Sequence, residues 1–237
     1  VILIGGLLLM LPISSATRKP AAVIDAFFTA TTATCVTGLV TVPTATSWSV
    51  FGQAVILILI QIGGIGIITL VMGTMLLFNR KIGLSDRMLI QDSFNLNTLS
   101  GLVMFVKKVI IGTVAAEALG ALFYMTVFIP EFGKKGIWIS VFNSVSAFCN
   151  AGMDIIGENS LSDYAANPII NITTSLLIII GGLGYFVWWD VLRVIKMKTI
   201  KKCRFFRSLT FHSKIVLVTT LTLLLGGAVL IFAFEYS

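Results

Sequence analysis

Ala30-Thr31-Thr32-Ala33-Thr34-Cys35-Val36-Thr37-Gly38 is a run of small, hydroxyl-rich residues that closes on a glycine, and it has a second copy. Ser144-Val145-Ser146-Ala147-Phe148-Cys149-Asn150-Ala151-Gly152 lies 114 positions further on. Thr32 then falls on Ser146, Ala33 on Ala147, Cys35 on Cys149 and Gly38 on Gly152. Each copy ends a short apolar segment. Ala21 to Thr34, as a helix, is about 21 Å long, against about 30 Å of hydrocarbon in a bilayer. Ile137 to Phe148 is no longer. A half-crossing helix followed by irregular backbone is tolerated at membrane depth only where protein or a water-filled cavity covers that backbone. The two stretches therefore read as re-entrant pore loops whose backbone carbonyls replace an ion's water. The bland account is a small-residue patch for helix packing. It serves for one copy, but not for two aligned copies, each behind a short helix.

Composition fixes the medium. The chain is 57% hydrophobic and 11% charged, about half the charge of a soluble domain. Several stretches exceed about 18 apolar residues, so the expected class is a polytopic, all-α integral membrane protein. The net charge of +7 points to topology rather than to nucleic acid. There is no basic leader at the start, and the opening in mid-helix reads as a piece of a longer protein. Cys35, Cys149 and Cys203 have no metal-ligand spacing. Two of them sit at matching points of the repeat, as small lining residues.

The order of segments repeats as well. Val1 to about Leu11 is an apolar helix stopped by Pro12, and Asp25 favours the start of the first short helix. Phe51 to Phe78 reads as one spanning helix and holds Gln61 and Gly63-Gly64-Ile65-Gly66. Leu102 to Ile129 is the next span, with Glu117 at its middle, and Pro130 to Gly136 is a charged turn. Pro168 to about Val194 is another span and carries Gly181-Gly182-Leu183-Gly184. From Gly38 to Gly63 is 25 positions and from Gly152 to Gly181 is 29. The expected division is a first helix–pore loop–helix repeat over 1–79 and a cytoplasmic connection over 80–101. A second repeat covers 102–195, a basic cytoplasmic connection 196–214, and the first helix of a third repeat 215–237.

Charge gives the orientation. The connections from Arg80 to Lys108 and from Arg193 to Lys214 hold 13 of the 17 basic residues. The positive-inside rule puts them in the cytoplasm of a multi-pass cell-membrane protein. Both glycine-ended turns then enter from outside, and each short helix aims its partly negative C-terminus at the membrane middle, where a cation is favoured. A dehydrated alkali cation needs oxygens in place of its water. Carbonyls supply them without a full charge, so the ion can leave again.

Thr32 to Gly38, Leu11-Pro12-Ile13-Ser14, Phe51-Gly52-Gln53, Ile60-Gln61-Ile62-Gly63-Gly64-Ile65-Gly66, Ser146 to Gly152 and the closing Glu235-Tyr236-Ser237 also carry a family resemblance. The chain resembles the membrane subunit of Ktr-type potassium uptake systems, in the Trk/Ktr/HKT superfamily, over nearly its whole length. The resemblance implies four helix–pore loop–helix repeats around one pore, of which this chain has two and the first helix of a third. The gate, which the family places in its third repeat, falls outside it. It implies potassium as substrate at a filter lined by the backbone carbonyls of Thr34, Cys35, Val36 and Thr37 and of Phe148, Cys149, Asn150 and Ala151, with Gly38 and Gly152 as selectivity glycines. It also implies a homodimer, a cytosolic ring of nucleotide-binding RCK-type subunits, sodium stimulation, and ATP/ADP or NAD(H) only through that ring. Each filter has a single glycine, unlike Thr-Val-Gly-Tyr-Gly of potassium channels, which implies fewer well-formed ion sites.

The remaining polar residues admit plainer accounts. A mid-span acid such as Glu117 is either part of an ion path or a buried carboxylate bonded to backbone donors or hydroxyls beside a pore helix. The bland account is preferred, because the resemblance puts the path at the filters. Asp154 could concentrate cations at the mouth or be an ordinary loop acid. The Gly-Gly-x-Gly clusters match no nucleotide fingerprint and fit close packing against the short helices. His212 belongs on the surface, and the basic 193–214 stretch fits contact with anionic lipid or with the ring. No Ser-His, His-Asp or paired-Asp set lies in the spans, so an enzyme is not expected, and there is no catalytic residue to name. The leading function is potassium uptake. The competing one is a secondary cation or solute transporter with broken helices and alternating access, for which only Gln61 and Glu117 offer mid-membrane ligands.

Overall fold

The computed structural model describes residues 1–66, 102–157, 159–201 and 205–235. Among these residues the regular structure is helical, apart from one isolated bridge between Ser15 and Trp48. The chain forms two compact units, Val1–Gly181 and Gly182–Ser237.

The first unit opens with α1 (Ile2–Met10), α2 (Val23–Cys35), the single turn α3 (Thr44–Ser47) and α4 (Val50–Ile65). Asp25 lies in the first turn of α2 but makes no capping hydrogen bond, so its part there is charge against the helix dipole. α4 starts where Ser49 accepts the N–H of Gly52 at 3.2 Å. The loop between α1 and α2 is laced to the start of α4: Ser49 Oγ donates to the Ile13 carbonyl at 2.6 Å, and the Ser49 N–H donates to the Ser14 carbonyl at 2.9 Å. α1 and α4 both pack on α2, whose buried face carries Ala26, Ala30 and Ala33, while Ile56 and Ile60 of α4 are buried as well. Alanines on that face let the helices approach closely where no hydrophobic effect drives them together in lipid.

α5 (Leu102–Phe132) and α6 (Lys135–Phe148) form the next hairpin, and α7 (Pro168–Leu183) follows. α5 is 31 residues long, about 46 Å, and its stretch Val106–Phe132 is apolar and long enough to cross a membrane. It runs through Pro130, so the turn expected there is shorter and sits at Gly133 and Lys134. Tyr124, Phe128 and Phe142 fill the interior of this hairpin. α4 reaches α6 through Gln53, whose Oε1 accepts from Trp138 Nε1 at 2.9 Å while its Nε2 donates to the Trp48 carbonyl at 3.1 Å.

The second unit holds α8 (Tyr185–Lys201), α9 (Phe205–Ser208) and α10 (Phe211–Glu235). Asp190 of α8 is buried and accepts both the N–H and the hydroxyl of Thr210 at 2.8 Å, fixing the start of α10 from outside. Arg193 pairs with Asp190 at 2.5 Å. α10 is 25 residues of almost wholly exposed apolar surface, as suits a helix whose surroundings are lipid or other helices.

Two helices end earlier than the apolar pattern predicts. α4 stops at Ile65 because Gly66 has φ +85, and α7 stops at Leu183 because Gly184 has φ +82. Each is the last glycine of its Gly-Gly-x-Gly cluster, and a positive φ cannot continue a right-handed helix. In the single span expected over Phe51–Phe78 the described helix therefore ends at Ile65, and the one expected over Pro168–Val194 is interrupted at Gly184. The remainder of the first, 67–78, and the connection over 80–101 lie outside the described residues.

Candidate functional site

Both glycine-ended turns have the same backbone architecture. α2 ends at Cys35, and Val36 takes the left-handed conformation at φ 55. α6 ends at Phe148, and Asn150, the equivalent of Val36, has φ 59. The Thr37 N–H donates back to the Thr32 carbonyl at 3.0 Å, and the Ala151 N–H to the Ser146 carbonyl at 2.8 Å. Two residues on, the Leu39 N–H donates to Thr32 Oγ1 at 3.1 Å, and the Met153 N–H to Ser146 Oγ at 3.0 Å. Gly38 and Gly152 then turn positive again, at φ 82 and 66. A non-glycine residue at positive φ costs about 1–2 kcal/mol. Val36 bears that cost and Asn150, a residue that tolerates this region, less of it; the bonds from 37 to 32 and from 151 to 146 hold both in the local geometry of a helix C-terminus.

The alternation has a chemical consequence. In an extended strand successive carbonyls point to opposite sides. Positive φ at Val36 and Gly38, with Thr37 between them outside the positive-φ set, breaks that alternation, and Asn150, Ala151 and Gly152 repeat it. Such backbone can gather successive carbonyls on one side. The two turns also meet: a Cβ placed on Gly38 would lie 2.7 Å from the Ala151 carbonyl oxygen and 3.6 Å from the Cα of Gly152. Both lie at the C-termini of α2 and α6, where the helix dipole is negative. Among the described residues no cluster of three or more His, Cys, Asp or Glu side chains could hold a metal ion.

The predicted site residues divide. Gly38 comes together with Ala151 and Gly152 across the two turns, while the side chains of Val36 and Asn150 lie by Gly63 and Gly181. Thr34 and Phe148 go elsewhere: their carbonyl oxygens abut Gly63 and Gly181, so closely that a Cβ on either glycine would overlap them. Cys35 is the last helical residue of α2 and is exposed, whereas Cys149 is buried. The glycine clusters thus serve as the floor on which each turn rests. Thr32 and Ser146, both buried, are the hydroxyls that bond across each turn, and the carbonyl-centred prediction passed over them. The available signal was a hydroxyl six positions before each glycine.

Glu117 is buried in α5 beside the second turn. Gln61 Nε2 donates to its two carboxylate oxygens at 2.9 and 3.1 Å. The Cys149 thiol lies 3.8 Å from Gln61 Oε1 and 4.0 Å from Glu117 Oε1. The expected buried carboxylate is there, but these partners are a side-chain amide and a thiol rather than backbone donors or hydroxyls. Asp154 accepts from the Ile156 N–H at 3.2 Å and from the Ser160 hydroxyl, and it borders a cavity of about 360 Å³ with Val40, Thr44 and Gly152. His212 is exposed, with its ring 6.4 Å from that of Phe186.

A family model described as "Cation transport protein" (TrkH) matches residues 3–236. The chain is 42% identical over 230 residues to the "Potassium/sodium uptake protein NtpJ" of Enterococcus hirae, covering 97% of this chain and 49% of that protein. It is 40% identical over 237 residues to the "Ktr system potassium uptake protein B" of Bacillus subtilis, covering 100% of this chain and 51% of that one. A protein of the same name from Vibrio alginolyticus is 34% identical over 236 residues, 99% of this chain and 50% of the other. The chain spans about half the length of these curated relatives.

Proposed function

The chain belongs to the TrkH family of cation transport proteins, and from that premise we propose that it supplies half of a potassium uptake path, with its two glycine-ended turns as filter segments. The observation that carries this reading is that two hydrogen bonds and two positive-φ residues recur at matching points of the two turns, which meet at Gly38 and Gly152. Repetition of strained backbone is expected where backbone oxygens are the ligands and side chains are not. The cation-facing carbonyls are those of Val36, Thr37, Asn150 and Ala151, with Cys35 and Cys149 at their inner ends. Thr34 and Phe148 leave the set, because their oxygens lie against the helix glycines Gly63 of α4 and Gly181 of α7, whereas the Ala151 oxygen faces Gly38 of the opposing turn. The two short helices are re-entrant and direct their C-terminal dipoles at the ion.

Potassium as the ion rests on the relatives' names, two of which specify potassium uptake and one potassium/sodium uptake. The remaining repeats of the ring, a homodimer, a cytosolic RCK-type ring that brings the nucleotide, and sodium stimulation belong to the same proposal. The basic 193–214 stretch is its cytoplasmic contact surface for the ring or for anionic lipid. The test is potassium against sodium uptake in cells that lack their own potassium uptake, expressing this chain within its full-length protein and beside it a Gly38→Ser variant. Growth at low potassium, lost or made sodium-permissive by Gly38→Ser, is expected. Unchanged potassium affinity in the variant would remove Gly38 from the filter.

A further inference from the structure

We propose that Gln61 and Glu117 form a latch that sets the position of the second filter turn, which makes Glu117 a positioning residue for cation selection; this rests on the filter reading above. Three elements of the first unit meet here: Gln61 from α4, Glu117 from α5, and Cys149 from the turn itself. A buried carboxylate left without a donor is costly, so the amide and the carboxylate hold each other firmly. Their bond ties together the two helices between which Cys149 is seated. Gly64 closes the seat from below, so near that a Cβ there would overlap the Cys149 sulfur. A shift of α4 against α5 therefore has no slack to absorb it. It passes to Cys149 and on to the carbonyls of Asn150 and Ala151, which a filter must hold to within about 0.5 Å.

The carboxylate does not hold the helices together by itself. Ser144 Oγ ties α6 to the Glu117 backbone carbonyl at 2.6 Å, and Trp138 ties α6 to Gln53 of α4 at 2.9 Å. Removing the Gln61–Glu117 bond leaves both ties, so its loss falls on the turn more than on the fold. Among the described residues the first turn shows no such latch: the residue 114 positions before Glu117 is Leu3, which is exposed, and Cys35 is exposed too. Of these two turns the device belongs to the second.

The experiment is a partner swap, read as the ratio of the sodium KM to the potassium KM in uptake by the full-length protein, with membrane abundance measured alongside. Gln61→Glu alone sets two acids against each other, and the ratio is expected to fall about tenfold. Gln61→Glu with Glu117→Gln restores an amide–carboxylate bond in reversed order, and the ratio is expected to return to within about threefold of wild type. A double variant no better than the single overturns the latch. So does a single variant that lowers abundance or maximal uptake with an unchanged ratio, since a merely structural role predicts that. Wild-type protein that takes up no potassium removes the filter reading itself, whereas normal wild-type uptake with a failed swap removes only the latch.

Discussion

Gly38 and Gly152 are equivalent by sequence, but the structure makes them unequal, and their alanine variants separate the two terms of that difference. Both have positive φ, so an alanine at either bears about 1–2 kcal/mol of torsional strain. At Gly152 nothing else is added, because the new Cβ would lie 3.7 Å from the Gly38 Cα, an ordinary contact. At Gly38 the Cβ would lie 2.7 Å from the Ala151 carbonyl oxygen, where ordinary contact begins at about 3.4 Å. One turn must retreat by roughly 0.7 Å, and forced overpacking of this kind costs about 1–3 kcal/mol more. The oxygen that moves is one of the proposed cation ligands. Gly152→Ala should therefore weaken potassium affinity about tenfold, and Gly38→Ala by a further factor of about 10–100. The assay is the potassium KM for uptake, with the thermal midpoint of the purified full-length protein as a check on folding. Equal effects, or a larger effect at Gly152, would refute the claim that the two turns press on each other at Gly38.

Ser146→Ala strips the buried N–H of Met153 of its hydroxyl acceptor, at about 1–3 kcal/mol, and Thr32→Val does the same to the part-buried N–H of the exposed Leu39, at about 0.5–1.5 kcal/mol. Ser146 also donates to the Met153 carbonyl at 2.5 Å, so its variant should lower the thermal midpoint more than that of Thr32. Asp190→Asn weakens the acceptor that fixes the start of α10 by about 1–2 kcal/mol. Amide exchange at Thr210 and Ser213 should quicken about tenfold. Potassium preference is expected to stay unchanged there.

The repeat was legible because it is written in small residues. Backbone that must bend sharply between packed helices excludes bulk, so Thr, Ser, Ala and Gly recur at fixed offsets, and the positions of both turns followed from the sequence. The packing role of the glycine clusters followed as well, since Gly63 and Gly181 lie against Thr34 and Phe148. What the pattern hid was the helix break at Gly66 and Gly184. Apolar residues continue on either side, and hydropathy cannot register a torsion angle. Nor could spacing tell which carbonyls each turn presents. Thr34 and Phe148 look like their neighbours in sequence, and only the path of α4 and α7 sets their oxygens against Gly63 and Gly181.

The partners of Glu117 were out of reach for a further reason: Gln61, Glu117 and Cys149 stand 56 and 32 positions apart and belong to no local motif. That contrast bears on how such a site works. The bonds that shape each turn, from residue 37 to 32 and from 151 to 146, are local and repeated, so they fix oxygens in the same way in both copies. The contacts that distinguish the copies are long-range and unrepeated: Cys149 is enclosed where Cys35 is open, and Gly38 is pressed where Gly152 is free. Local bonds can make a turn competent to hold a cation. Only unrepeated contacts can make one turn respond differently from another. Selectivity that differs between the segments should therefore track Gln61, Glu117 and the Gly38–Ala151 contact rather than the residues the two copies share.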